Sequence, residues 1–171
     1  SWQAWSLGKK IGAILGGTLV TVAAIGAVIV ASKLSKINTV KLDTDKLNVS
    51  KEAKKRGSGY LNVALFGVDS RDDDLGEGTR SDTIMIASLN KKTMKVKIAS
   101  IYRDTLSEQE DGTLNKINAA YSYGGPEGAV SVLNKNLDMN IEHYVTVNFN
   151  SMIDIVDSVG GIDIDVQEDE V

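Results

Sequence analysis

The stretch YLNVALFGV, residues 60–68, is an almost unbroken apolar run of strand length. A strand with one wet face alternates apolar and polar residues, whereas a strand covered on both faces reads as a continuous apolar run. Residues 60–68 therefore predict a central strand in a sheet with helices on its faces. Working outward, residues 83–89 (TIMIASL) and 96–102 (VKIASIY) read as two more strands. The polar Asn90, Lys91, Lys92 and Thr93 between them predict a tight hairpin. Residues 115–123 and 126–137 have helical character, split by Gly124 and Gly125, with Pro126 at a first helical position where its missing N–H goes unused. Residues 141–149 return to strand character, and 150–158 read as a short amphipathic helix closed by Gly160 and Gly161. Residues 162–166 (IDIDV) then alternate as an edge or half-buried strand. Helices interleaved with strands after an opening hairpin predict an α/β fold, a mixed sheet sandwiched by helices.

Upstream the character changes. Residues 11–31 form an uncharged run of 21 residues, bracketed by Lys9 and Lys10 on one side and Lys33 on the other. At about 1.5 Å rise per residue, such a helix reaches roughly 30 Å, the thickness of a bilayer core. Trp2 and Trp5 precede it, where indole rings favour the headgroup zone. The layout predicted is a flank over 1–10, a transmembrane helix over 11–32, a polar juxtamembrane stalk over 33–59 and an α/β domain over 60–171. A cleaved signal peptide is the alternative for the apolar run, although its hydrophobic core is usually about 7–15 residues. Charge does not orient the span, because lysines stand on both sides of it.

The net charge of −4 hides an asymmetry, +7 over residues 1–60 and −11 over residues 61–171. A basic membrane-proximal part beside an acidic domain suits contact with anionic headgroups and speaks against nucleic acid as a partner. The absence of Cys excludes disulfides, thiolate catalysis and Cys-ligated metals. The single His143 excludes His-pair zinc sites, and neither a Walker A loop nor a GxGxxG turn is present.

What stands out is charge at the ends of three consecutive strands. Asp69, Ser70 and Arg71 follow the first; Arg80, Ser81 and Asp82 lead into the second; Arg103 and Asp104 end the third. These points share one edge if the first two strands are antiparallel and the third runs parallel to the first. Carboxylates and guanidiniums would then converge. Two carboxylates about 4 Å apart repel by about 4 kcal/mol at an effective dielectric of 20, so such a pair persists with a cation between its members. Mg²⁺ commonly takes one or two carboxylates and completes its shell with water and phosphate oxygens. Arg offers planar, bidentate donors to phosphate. Asp with Arg at strand ends is thus the equipment for holding a metal-bound diphosphate. The same residues also suit a solvated loop with surface ion pairs, the ordinary reading of Asp72, Asp73 and Asp74.

Several blocks in order carry a resemblance: NVALFGVDSR (62–71), RSDTIMI (80–86), SIYRDT (100–105), KINAAYSYGGPE (116–127), IEHYVTVNF (141–149) and VGGI (159–162). Over roughly residues 60–166 the chain resembles the LytR-CpsA-Psr family of cell-envelope proteins. The resemblance implies a phosphotransferase on the outer face of the cell membrane, anchored by a single pass. Such an enzyme moves an anionic glycopolymer, of wall teichoic acid or capsule type, from an undecaprenyl-pyrophosphate carrier onto peptidoglycan. It further implies that Asp69 and Asp82 hold Mg²⁺ (or Mn²⁺), and that Arg71, Arg80 and Arg103 grip the diphosphate. Asp104 would orient an Arg or assist the acceptor hydroxyl. The apolar faces of the sheet and of the helix from Pro126 would line a tunnel for the prenyl chain.

Two departures bear on these expectations. Tyr102 stands where many members have Pro. The family's later Arg-rich segment does not occur before Val171, which predicts a C-terminally truncated domain with little or no transferase activity by itself. Two other functions fit the same residues: a lipid-carrier pyrophosphatase, with water as acceptor, and a non-catalytic membrane-anchored binding or regulatory protein. No helix-turn-helix or basic DNA-reading patch supports a role on DNA.

Overall fold

The computed structural model describes residues 6–34, 39–70, 75 and 77–165. The chain divides into two compact units, Ser1–Lys41 and Leu42–Val171. In the first, α1 (Leu7–Leu34) is one helix of 28 residues that contains the uncharged run. Thr21 donates its hydroxyl to the Gly17 carbonyl at 2.8 Å, so this polar group is satisfied within the helix. Some α1 side chains, and both Trp2 and Trp5, lie outside the described residues. Among the described residues, no helix is long and apolar enough to cross a membrane.

The second unit is built on β1 (Tyr60–Val68), which lies at the middle of a four-stranded sheet. It pairs antiparallel with β2 (Ser81–Asn90), which pairs antiparallel with β3 (Val96–Ile101). On its other side β1 runs parallel to β6 (His143–Val147), giving the order β3-β2-β1-β6. The sheet is mixed, as the sequence predicts. The β2–β3 connection is a five-residue loop, longer than a tight hairpin. Asn90 Oδ1 accepts from the Lys92 and Thr93 amides at 3.0 and 2.9 Å and organises it.

One face of β1 carries the core: Asn62, Ala64, Phe66 and Val68 are buried in alternation with half-buried neighbours. Ile84 and Ile86 pair with Phe66 and Ala64, so they share that face. Helix α3 (Ala119–Leu137) covers it with Tyr121, Ala129, Val130 and Leu133. The rings of Phe66 and Tyr121 meet edge to face, centroids 5.2 Å apart, an arrangement worth about 0.5–1.5 kcal/mol beyond burial. Gly124 and Gly125 break α3 as expected. Gly125 sits at φ +57°, ψ −155°, a conformation open to glycine alone, and the helix resumes at Pro126.

Three expectations are corrected. The polar stalk predicted over 33–59 does not extend to the sheet, because the compact unit begins at Leu42. Leu47 is fully buried in the core, and α2 (Lys51–Gly57), capped by Ser50, packs beside β1. Asn134 of α3, 1% exposed, donates to the carbonyls of Leu47 (2.8 Å) and Ile141 (2.9 Å) and accepts from the Ile141 amide (2.8 Å). One side chain thereby ties the segment before β1, the helix and the approach to β6 together.

The helix predicted over 115–123 starts later. Leu114–Lys116 is strand β5, paired with β4 (Leu106–Glu108) in a small hairpin turned through Asp111 and Gly112. Gly112 takes the φ of +82° that the turn needs. Finally, residues 161–165 form no strand: Gly160 and Gly161 both have positive φ, and Ile162 and Ile164 are exposed. Val166 lies outside the described residues. The amphipathic helix before them is present as α4 (Phe149–Ser158), with Asn148 Oδ1 capping the Ser151 amide at 2.8 Å.

Candidate active site at one end of the sheet

The β1–β2 pairing brings the exit of β1 and the start of β2 to one edge, with Val68 opposite Ser81. The register slips between Gly67 and Val68: Gly67 faces Thr83 and Val68 faces Ser81, leaving Asp82 as the extra residue of a β-bulge. Bulges re-aim a side chain out of the regular pleat. Gly67 suits this place, since a Cβ there would lie 3.0 Å from the Thr83 Cβ. With β3 antiparallel to β2, its exit reaches the same edge, and the convergence condition read from the sequence is met.

Arg103 Nη1 donates to Asp82 Oδ1 at 2.8 Å. Arg103 and Asp104 are the central residues of a turn closed by the Thr105 amide on the Tyr102 carbonyl at 3.0 Å. Arg103 Nε lies 3.9 Å from Asp104 Oδ2, and Lys116 Nζ lies 2.6 Å from Asp104 Oδ1. The result is a chain of alternating charge, Lys116–Asp104–Arg103–Asp82. The bonded Lys116 ammonium holds the Asp104 carboxyl below its ordinary value against the opposing effect of desolvation, and Arg103 adds to the lowering. All four side chains are about half exposed, so these pairs add little to stability.

Asp69 and Arg80 are exposed at the same edge and form no ion pair among the described residues. Arg71 lies outside the described residues, as do Asp72, Asp73 and Asp74. The structure thus brings Asp82, Arg103 and Asp104 into contact, sets Asp69 and Arg80 beside them by strand register, and adds Lys116. Lys116 was invisible as a site residue while residues 115–123 read as helix. The Asp-Gly pair at 111–112 is the signal that would have placed it on a hairpin beside the turn. Ser81, adjoining Asp82, is fully buried, and its hydroxyl has no hydrogen-bond partner among the described residues.

Among the described residues, no group of three or more acidic or His side chains could hold a metal ion by itself. Asp69 and Asp82 match the other type of site, in which Mg²⁺ takes one or two carboxylates and fills its shell with water and phosphate oxygens. Both are exposed carboxylates at this edge, donors of the class such a cation takes.

A model of the LytR_cpsA_psr family matches residues 25–171. The chain belongs to the LytR_cpsA_psr family. Among LytR_cpsA_psr relatives it is similar to the polyisoprenyl-teichoic acid–peptidoglycan teichoic acid transferase TagU of Bacillus cereus (strain AH820). The two are 36% identical over 162 residues, 94% of this chain and 51% of that protein. The crystal structure of TagV from B. subtilis is 35% identical with a TM-score of 0.55, over 63% of this chain and 43% of that one. TagT (YwtF), solved with bound octaprenyl pyrophosphate lipid, is 26% identical with a TM-score of 0.62, over 77% of this chain and 52% of that one. The chain spans about half the length of the curated relatives it matches.

Proposed function

We propose that this protein takes part in transferring an anionic glycopolymer from a polyprenyl diphosphate carrier to peptidoglycan, with the diphosphate held at the Asp82–Arg103 edge. The observation that carries the reading is the 2.8 Å contact between these two residues, made where three strand ends meet. TagU relatives named as teichoic acid transferases, and TagT with its prenyl pyrophosphate, support it. A teichoic acid type polymer is the substrate this favours over capsule.

On this reading the acceptor sugar hydroxyl bonds to the phosphorus bearing the polymer. The P–O bond to the carrier phosphate breaks, the hydroxyl proton passes to solvent, and polyprenyl monophosphate leaves. Asp69 and Asp82 would hold Mg²⁺ (or Mn²⁺), which supplies charge neutralisation to the diphosphate when bound. Arg103 keeps Nη1 on Asp82 and turns its remaining donors to phosphate oxygens, with Arg71 and Arg80 as further cations from the β1–β2 connection. Asp104 orients Arg103. Its carboxylate is engaged by cations on both oxygens, Lys116 on Oδ1 and Arg103 near Oδ2.

On this reading the uncharged run of residues 11–31, some of whose side chains lie outside the described residues, would anchor the protein in the membrane, with the Leu42–Val171 unit on the extracytoplasmic side where peptidoglycan lies. The test replaces Asp82 and Arg103 separately by Ala in the whole protein. Each change should lower transfer from a diphosphate-linked polymer by roughly 100-fold or more and blunt the response to Mg²⁺, with the circular dichroism spectrum intact. Full activity in both variants, or indifference to metal, would show the site to be elsewhere. Label recovered on peptidoglycan separates transfer from hydrolysis of the carrier.

A further inference from the structure

We propose that Lys116 is a positioning residue of this site: through Asp104 it fixes the turn that presents the Arg103 guanidinium. This rests on the diphosphate reading above, to which it adds a residue.

Little else holds Arg103. Tyr102, Arg103, Asp104 and Thr105 are all exposed, Tyr102 at 88%. No apolar side chain of the turn is anchored in the core. What restrains the turn is polar and comes from the β5 side. The Ile117 amide donates to the Thr105 carbonyl at 2.8 Å, and the Asn118 amide to the Arg103 carbonyl at 3.2 Å. These bonds continue the β4–β5 ladder, in which Lys116 faces Leu106. The backbone of the turn is thereby laid alongside residues 117 and 118, and the Lys116 side chain is delivered to Asp104.

Side-chain orientation is a separate matter, since a guanidinium on a flexible stem has many rotamers. Asp104 has two cationic neighbours, Lys116 at 2.6 Å and Arg103 at 3.9 Å. The closer one fixes the carboxylate, and the fixed carboxylate limits the swing of Arg103 Nε while Asp82 takes Nη1. Lys116 is suited to this place as a compact charge with three rotatable donors. An exposed ion pair adds little to folding stability, so the effect falls on the geometry of Arg103 and not on the fold.

The experiment uses the full chain in detergent micelles with farnesyl diphosphate as probe. It compares Lys116→Met, Lys116→Arg, Asp104→Asn and the Lys116→Met/Asp104→Asn pair. Lys116→Met should weaken binding by about fivefold, near the upper range for an exposed charge contact, with Lys116→Arg restoring most of it. In the Asp104→Asn background, Lys116→Met should have no further effect, as expected of a residue that acts through Asp104. Equal weakening in both backgrounds would show that Lys116 meets the phosphate directly and would overturn the proposal. So would unchanged binding in Lys116→Met when Arg103→Ala weakens it. A second readout needs no ligand: the Arg103 Nε–H resonance should be distinct in the wild type and averaged in Lys116→Met. If the wild type bound no diphosphate, the functional reading would fail, while an unaltered Arg103 signal in Lys116→Met would overturn the positioning role independently.

Discussion

Arg103, in the turn that follows β3, and Asp82, at the start of β2 and 21 residues away in sequence, meet at 2.8 Å over a bulge that displaces Asp82 from the pleat. The contact is half exposed, so its role lies in orientation more than in stability. Replacing Arg103 by Lys keeps the charge and removes the planar, multi-donor head. Binding of a short polyprenyl diphosphate should fall by about tenfold, while unfolding stability shifts by less than about 0.5 kcal/mol. Isothermal titration alongside urea unfolding checks both halves.

A different residue governs whether the unit stays together. Asn134 bonds Leu47 and Ile141 from a position 1% exposed. Replacement by Ala leaves three buried backbone groups without their partner and should cost roughly 3–5 kcal/mol. The urea midpoint should drop with little change of slope. A loss below about 1 kcal/mol would mean that residues 42–49 are not held by this side chain.

The connection from β1 to β2, which carries Asp69 and Arg80, is pinned to α3. Tyr121 donates its hydroxyl to the Leu75 carbonyl at 2.6 Å and lies 3.0 Å from Thr146 Oγ1, and the Gly78 amide donates to the Ser122 carbonyl at 2.9 Å. Tyr121→Phe keeps the packing on Phe66 and removes the hydroxyl tether, at a cost of about 1–3 kcal/mol. Hydrogen exchange at residues 77–80 should rise, and diphosphate affinity should fall with it. Unchanged protection there would separate this loop from α3.

Acid sensitivity should arise at the other end of α3. Arg56 first, then Ser50, holds the Asp138 carboxyl below its ordinary value of 3.8. Because the folded-state value is depressed, the stabilisation is present above the unfolded value and is lost as pH falls through the folded one. Asp138→Asn should therefore be less stable than wild type near neutrality, with the gap closing as pH drops below about 4. A gap that is constant with pH would assign the difference to lost hydrogen bonds alone.

The central strands were legible because each residue signal agreed with the global pattern. The apolar run of 60–68 is β1, and the double glycine before Pro126 is the break in α3. The site was legible as charges at strand ends, since antiparallel pairing alone carries residues 69, 82 and 103 to one edge. The polar segment 42–57 was less legible, because its attachment depends on Leu47 and on a hydrogen-bonding side chain 87 residues away. Lys116 was hidden by the helical look of its neighbours, where non-local pairing with Leu106 overrides local propensity. The bulge at Asp82 has no sequence signature beyond the small Gly67 across from its neighbour Thr83.

The central claim is that the Asp82–Arg103 edge grips a diphosphate. The most direct measurement titrates farnesyl diphosphate into the isotopically labelled full chain with Mg²⁺ present, following the backbone amides of residues 69, 82, 103 and 104. Saturable shifts gathered at these positions, weakened about tenfold or more in Asp82→Ala, are the predicted result. Shifts elsewhere in the fold, or equal affinity in that variant, would contradict the account.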